Sequence, residues 1–170
     1  PVRAALGAVE LRRGASDAAL AIAKGLQSEF PTERQGYLLE AHVEIARRRY
    51  DEGAAVLRGV YDKEPLWPIL ADLIAALQLA DRPEESIGLL ESWIAREPSD
   101  IRGRLALGAL LQAAGRLSDA VVQYEAVLAI DEGNVVALNN AAWTYHLQGD
   151  PRALGLAELA RAGAPEQPAV

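Results

Sequence analysis

Sulfur is missing from these 170 residues altogether: the sequence has no cysteine and no methionine. That excludes disulfides, thiolate metal sites and cysteine nucleophiles at one stroke. It also leaves the redox compartment unreadable, since periplasm and cytosol are equally permitted. Aromatics are scarce at 5%, and Lys plus Arg number 17 against 24 Asp plus Glu, a formal charge of −7. An acidic chain is a poor match for nucleic acid or an anionic membrane, where Lys and Arg must neutralise phosphate. No long hydrophobic run exists either. The longest, 66–80, is broken by Pro68, Asp72 and Gln78, so neither a transmembrane helix nor direct membrane insertion is expected. The start carries no basic-then-apolar signal segment. Because the chain opens at Pro1 without an initiator, the expectation is a piece of a longer repeat protein or a processed product. The 51% apolar content is enough for a folded domain.

What is present is repetition. Pro31, Pro65, Pro98 and Pro165 stand 34, 33 and 67 residues apart, with Glu132 in the missing place of that ladder. Small residues form a second ladder at Ala19, Gly53, Ser86, Ala120 and Ala153. A third follows four residues later, at Ala23, Leu57, Leu90, Tyr124 and Ala157. Three ladders in one register predict five units near 1–32, 33–66, 67–100, 101–134 and 135–168 within a single domain, 1–170.

Each unit reads as two helices. In the fourth, Leu105, Leu107, Leu110 and Leu111 share a helical face ending at Gly115. A second helix then starts near Ser118, a candidate N-cap, and carries Ala120, Val121, Tyr124 and Val127. Gly14 and Gly149 hold the same turn in units one and five, where glycine enters the left-handed region without steric penalty. Asp150-Pro151 and Ser99-Asp100 read as further helix starts. Second helices are therefore predicted near 17–29, 51–62, 84–95, 118–130 and 152–162. Nothing alternates with period two, so no sheet is expected. Gly7 with Ala19, and Gly108 with Ala120, supply the small surfaces that let paired helices approach.

These residues resemble the tetratricopeptide repeat, whose 34-residue pattern runs W-x2-L-G-x2-Y, A-x3-F, P. Unit four carries Leu107-Gly108, Leu111, Gly115, Ala120, Tyr124 and Asp131; unit one carries Leu6-Gly7, Gly14, Ala19 and Pro31. The resemblance implies an all-α, right-handed α-α superhelix of five helix-turn-helix repeats. Units two and three depart from it. Glu40-Ala41 replaces Leu-Gly, Arg48 and Asp81 replace the turn glycine, and Trp93 fills a place usually held by alanine, which predicts a wider gap there. A narrower resemblance covers 136–143 and 149–158, similar to repeat proteins of exopolysaccharide export and PEP-CTERM/exosortase sorting. It implies a bacterial, periplasmic, lipoprotein-anchored parent; without it a cytoplasmic home is the expectation.

Chemistry is harder to find. His42 lies between Glu40 and Glu44, which share a helix face while His42 points elsewhere, and no H-E-x-x-H spacing exists. No metal site is expected. Gly103 and Gly108 are five apart but lie in an apolar helical run, which reads as packing rather than a phosphate loop. No nucleophile with a poised base can be assembled, so no enzyme and no cofactor are expected. Glu84-Glu85 reads as a helix start, and Arg47-Arg48-Arg49 as a solvated turn between helices.

The family resemblance implies a concave groove lined by the first helix of each unit. Carried over, that groove takes Leu38, His42, Ala71, Ala75, Gln78, Leu105, Ala109, Gln112, Asn139, Trp143 and His146. Asn139 offers a donor and an acceptor, and a part-exposed Trp143 would anchor a partner. The alternative is that Trp143 packs on its neighbour. The lysine clamp of co-chaperone relatives is absent, since Lys24 and Lys63 fall on second helices. The expected function is a non-catalytic scaffold binding a protein or peptide; self-assembly through terminal repeats and a helical enzyme are the alternatives. Because 166–170 is too short for a capping helix, the face carrying Ala142, Leu154, Ala157 and Leu159 is expected to be buried against another molecule or frayed.

Overall fold

A computed structural model describes residues 2–163. Among them are ten helices and no strand. In chain order they are α1 (Val2–Arg12), α2 (Ser16–Glu29), α3 (Arg34–Ala46), α4 (Tyr50–Tyr61), α5 (Trp67–Leu79), α6 (Pro83–Arg96), α7 (Ile101–Ala113), α8 (Leu117–Ile130), α9 (Val135–Gln148) and α10 (Arg152–Gly163). The chain divides into two compact units, residues 1–82 and 83–170. Each even-numbered helix falls within two residues of the span predicted for a second helix.

One backbone device closes every turn between odd and even helices. A nitrogen bonds the carbonyl five residues earlier: Ala15 to Glu10, Arg49 to Glu44, Arg82 to Leu77, Arg116 to Leu111 and Asp150 to Tyr145, all at 2.8–2.9 Å. The residue before each nitrogen is left-handed. Gly14, Gly115 and Gly149 take φ of 82°, 75° and 70°, as the glycine ladder predicts. Arg48 and Asp81 take φ of 62° and 57°, so the departures in sequence leave the turn geometry unchanged.

Helix starts agree with sequence except at one place. Asp100 accepts from the nitrogens of Arg102 at 2.9 Å and Gly103 at 3.4 Å, Asp150 from that of Arg152 at 2.9 Å. Ser118 is not a cap: α8 begins at Leu117 after Arg116, which puts Ser118 inside the first turn.

In the first unit Leu39 of α3 fills the space over Gly7, where a Cβ would stand 2.2 Å from Leu39 Cδ2. Gly36 lies against the α2 backbone, its would-be Cβ 3.0 Å from Ala23 O. Glu40 does not disturb α3, because Lys24 Nζ and Gln27 Nε2 both donate to its carboxylate. These bonds outweigh the burial that opposes ionisation, and its pKa is lowered.

In the second unit Tyr124 fills the space over Gly108, where a Cβ would stand 2.5 Å from the ring. Trp93 is buried. Its indole sits over Gly103, whose would-be Cβ lies 2.8 Å from Trp93 Cδ1, and its Nε1 donates to Asp100 Oδ2 at 3.1 Å. A glycine on the facing helix accommodates the large ring.

Candidate functional site

The residues that sequence puts on a groove fall on odd-numbered helices in both units. In the first unit α3 presents Leu38, half-buried, and His42, exposed; α5 presents Ala71, half-buried, and Ala75 and Gln78, both exposed. His42 Nε2 lies 3.0 Å from Asp72 Oδ2. Asp72 was missed by the sequence reading, although it sits only one helical turn before Ala75, the repeat equivalent of His42. The basic run is dispersed. Arg47 pairs with Asp17, Arg49 pairs with the buried Glu44, and Arg48 occupies the left-handed turn.

In the second unit α7 presents Leu105, half-buried, and Ala109, exposed. Gln112 is engaged internally: its Oε1 accepts from Thr144 Oγ1 at 2.8 Å and from Tyr124 OH at 3.4 Å. Burial pushes the Tyr124 phenol up to about 12, against a lowering hydrogen bond with Asn140.

The exposed polar and aromatic groups gather on α9. Trp143 is 55% exposed, and its ring centroid lies 5.5 Å from that of the exposed His146. Asn139, one turn earlier, is exposed too. Together they border a cleft of about 510 Å³, with Ala142 on its floor and Ala153, Leu154 and Ala157 of α10 on its far wall. Of the face expected to be covered, Ala142 is buried while Leu154 and Leu159 are 70% and 58% exposed. The segment 166–170, on which the capping expectation rests, lies outside the described residues.

Among the described residues no three His, Asp or Glu side chains group as metal ligands, and no helix is long and apolar enough to cross a membrane. Large shifts in ionisation move Tyr124 and Tyr145 upward, to about 12 each, away from the neutral range a general acid or base needs.

The backbone has close counterparts among solved structures. YrrB, described as a TPR protein with an unusual peptide-binding site, matches 97% of this chain and 86% of its own at 19% identity, TM-score 0.70. The fold is that of the tetratricopeptide-repeat proteins. A crystal structure of MamA matches 95% of this chain and 90% of its own at 17% identity, TM-score 0.75. A double mutant of MamA from RS-1 matches 95% and 92% at 15% identity, also with TM-score 0.75. At these identities the likeness is one of fold, a helical solenoid. No family model and no curated protein matches the sequence.

Proposed function

We propose that this chain is a non-catalytic scaffold that binds an extended peptide of another protein, with the α9 surface as its anchor point. The observation that carries this reading is Trp143: a large apolar ring more than half exposed, between an amide and an imidazole with no hydrogen-bond partner among the described residues. Partly exposed tryptophans beside unpaired donors are common anchors in interfaces. The peptide binding described for YrrB supports the class of ligand by analogy of fold. Selection from a peptide library displayed on phage tests it. Trp143→Ala should weaken the selected peptides by about tenfold, the scale of one interface anchor, and Arg12→Ala on α1 should leave them unchanged. Equal loss in both variants, or no selectable peptide, refutes the reading.

A role in exopolysaccharide export or protein sorting, in a lipoprotein-anchored periplasmic parent, is the finer form of the proposal. Only the sequence of 136–143 and 149–158 supports it. Self-assembly is the second reading, favoured by Leu154, Leu159 and Val2, which are 70%, 58% and 83% exposed. Light scattering over a concentration series distinguishes it: a constant mass rules it out.

A further inference from the structure

Tyr145, two residues from Trp143, is buried and borders a different cleft, about 480 Å³, between α8 and α10. Leu128, Leu156 and Leu159 make its apolar lining, beside Gly155. A Cβ on Gly155 would meet nothing within 4 Å. Glycine inside a helix costs stability relative to alanine, and here no neighbour in the chain requires the space.

One end of the cleft is polar. Glu125 Oε1 accepts from Tyr145 OH and, at 3.3 Å, from Arg152 Nη1. The Arg152 guanidinium lies 4.0 Å from the Tyr145 ring centroid and is held by both Asp150 oxygens, Nε at 3.0 Å and Nη2 at 2.9 Å. Two carboxylates therefore face one guanidinium. The Glu125 side chain is 51% exposed, and its Oε2 carries no hydrogen bond among the described residues. The surrounding charge has the same sign: residues 83–170 hold six Lys and Arg against twelve Asp and Glu, so −6 of the net −7 lies in this unit.

The first unit has a cleft in the equivalent position, about 400 Å³, with Lys24 where the second has Glu125. Three cations and three carboxylates line it, with Lys24 paired to Glu40 and Arg34 to Glu64. The second unit's cleft differs in ending on one carboxylate more than its cation, since Glu125 and Asp150 share Arg152.

We propose that the α8–α10 cleft docks a basic segment of a partner protein. A lysine or arginine stem lies along the leucines over Gly155, and its cationic head pairs with Glu125 Oε2. Long basic side chains suit such a slot because their methylenes bury while the charge stays at the rim. Arg152 over Tyr145 shows that this end already stabilises a cation by ring and carboxylate together. An acidic segment would meet two carboxylates and a guanidinium whose bonds are taken.

The test is fluorescence polarisation of the full chain with a fluorescein-labelled nonapeptide of alternating leucine, lysine and glycine. The same peptide with norleucine for lysine is the control. Glu125→Gln, which can still accept from Tyr145, should weaken the lysine peptide by about tenfold, the scale of one charge-assisted contact. Gly155→Leu should abolish binding while raising the melting temperature, which separates a blocked cleft from a damaged fold. Glu132→Gln removes the same charge from a loop of the same unit and should change affinity less than about twofold. Equal weakening by Glu125→Gln and Glu132→Gln would mean diffuse attraction and overturn the proposal. So would equal binding of the norleucine peptide, or no binding of the lysine peptide.

Discussion

Ser86 Oγ is fully buried and has no hydrogen-bond partner among the described residues. The residue occupies the ladder position held elsewhere by Ala19, Gly53, Ala120 and Ala153, where small size is what the helix crossing requires. The hydroxyl is therefore a desolvation cost without return. Ser86→Ala should stabilise the chain by about 1 kcal/mol, read as a higher urea midpoint at unchanged slope. Arg48 makes the same point about the backbone. Its φ of 62° costs a residue with a Cβ about 1–2 kcal/mol, part of which glycine's larger unfolded-state entropy returns. Arg48→Gly should raise stability by about 0.5–1 kcal/mol, and Gly115→Ala should lower it by a similar amount. The sequence makes Arg48 visible as a departure from the turn glycines. It did not say whether the turn changes or the residue bears the strain, because φ is imposed by the helices on either side.

Helix boundaries were legible because glycine, proline and small residues punctuate one 34-residue register. Reach between helices was not. Asp72 finds His42, and Gln112 turns inward to Thr144 and Tyr124, because those contacts depend on how neighbouring helices are rotated. Trp93 stands where the repeat usually has alanine, and Gly103, a packing glycine by sequence, is what lies against its ring. The same dependence gives two helix glycines of the first unit opposite expected effects. Gly36→Ala puts a methyl 3.0 Å from both Ala23 O and Gln27 N. Overpacking against backbone should cost about 1–3 kcal/mol. Gly59, in the last turn of α4, has nothing within 4 Å of a Cβ, so Gly59→Ala should gain about 0.5 kcal/mol in helix propensity. Thermal denaturation of the two variants checks the pair of signs.

At the scale of the molecule, stability is coupled to pH through two phenols. Burial raises both Tyr124 and Tyr145 to about 12, with Glu125 adding to the shift of Tyr145. The unfolded chain releases those protons near the ordinary value of about 10. The folded chain therefore binds more protons between about 10 and 12, and stability falls as pH climbs through that window. Asp100 and Asp150 work from the other side. Hydrogen bonds from Arg102 and Arg152, respectively, lower their pKa, so their contribution is present above the usual carboxylate range and lost as pH falls through and below it. Melting temperature followed by circular dichroism should show a plateau with both shoulders. A Tyr124→Phe, Tyr145→Phe double variant should flatten the alkaline one and leave the acid one in place. If the alkaline shoulder persists unchanged, these phenols are not its origin.

The contrast between Trp93 and Trp143 has an optical consequence. One indole is sealed against a glycine and bonded to a carboxylate; the other stands in solvent beside an imidazole. With the part-buried third tryptophan, Trp67, replaced by phenylalanine, their emission should separate into a blue component and a red one, and iodide should quench the red one first. Any ligand that covers α9 would then announce itself by shielding that component, with no dye attached to the protein.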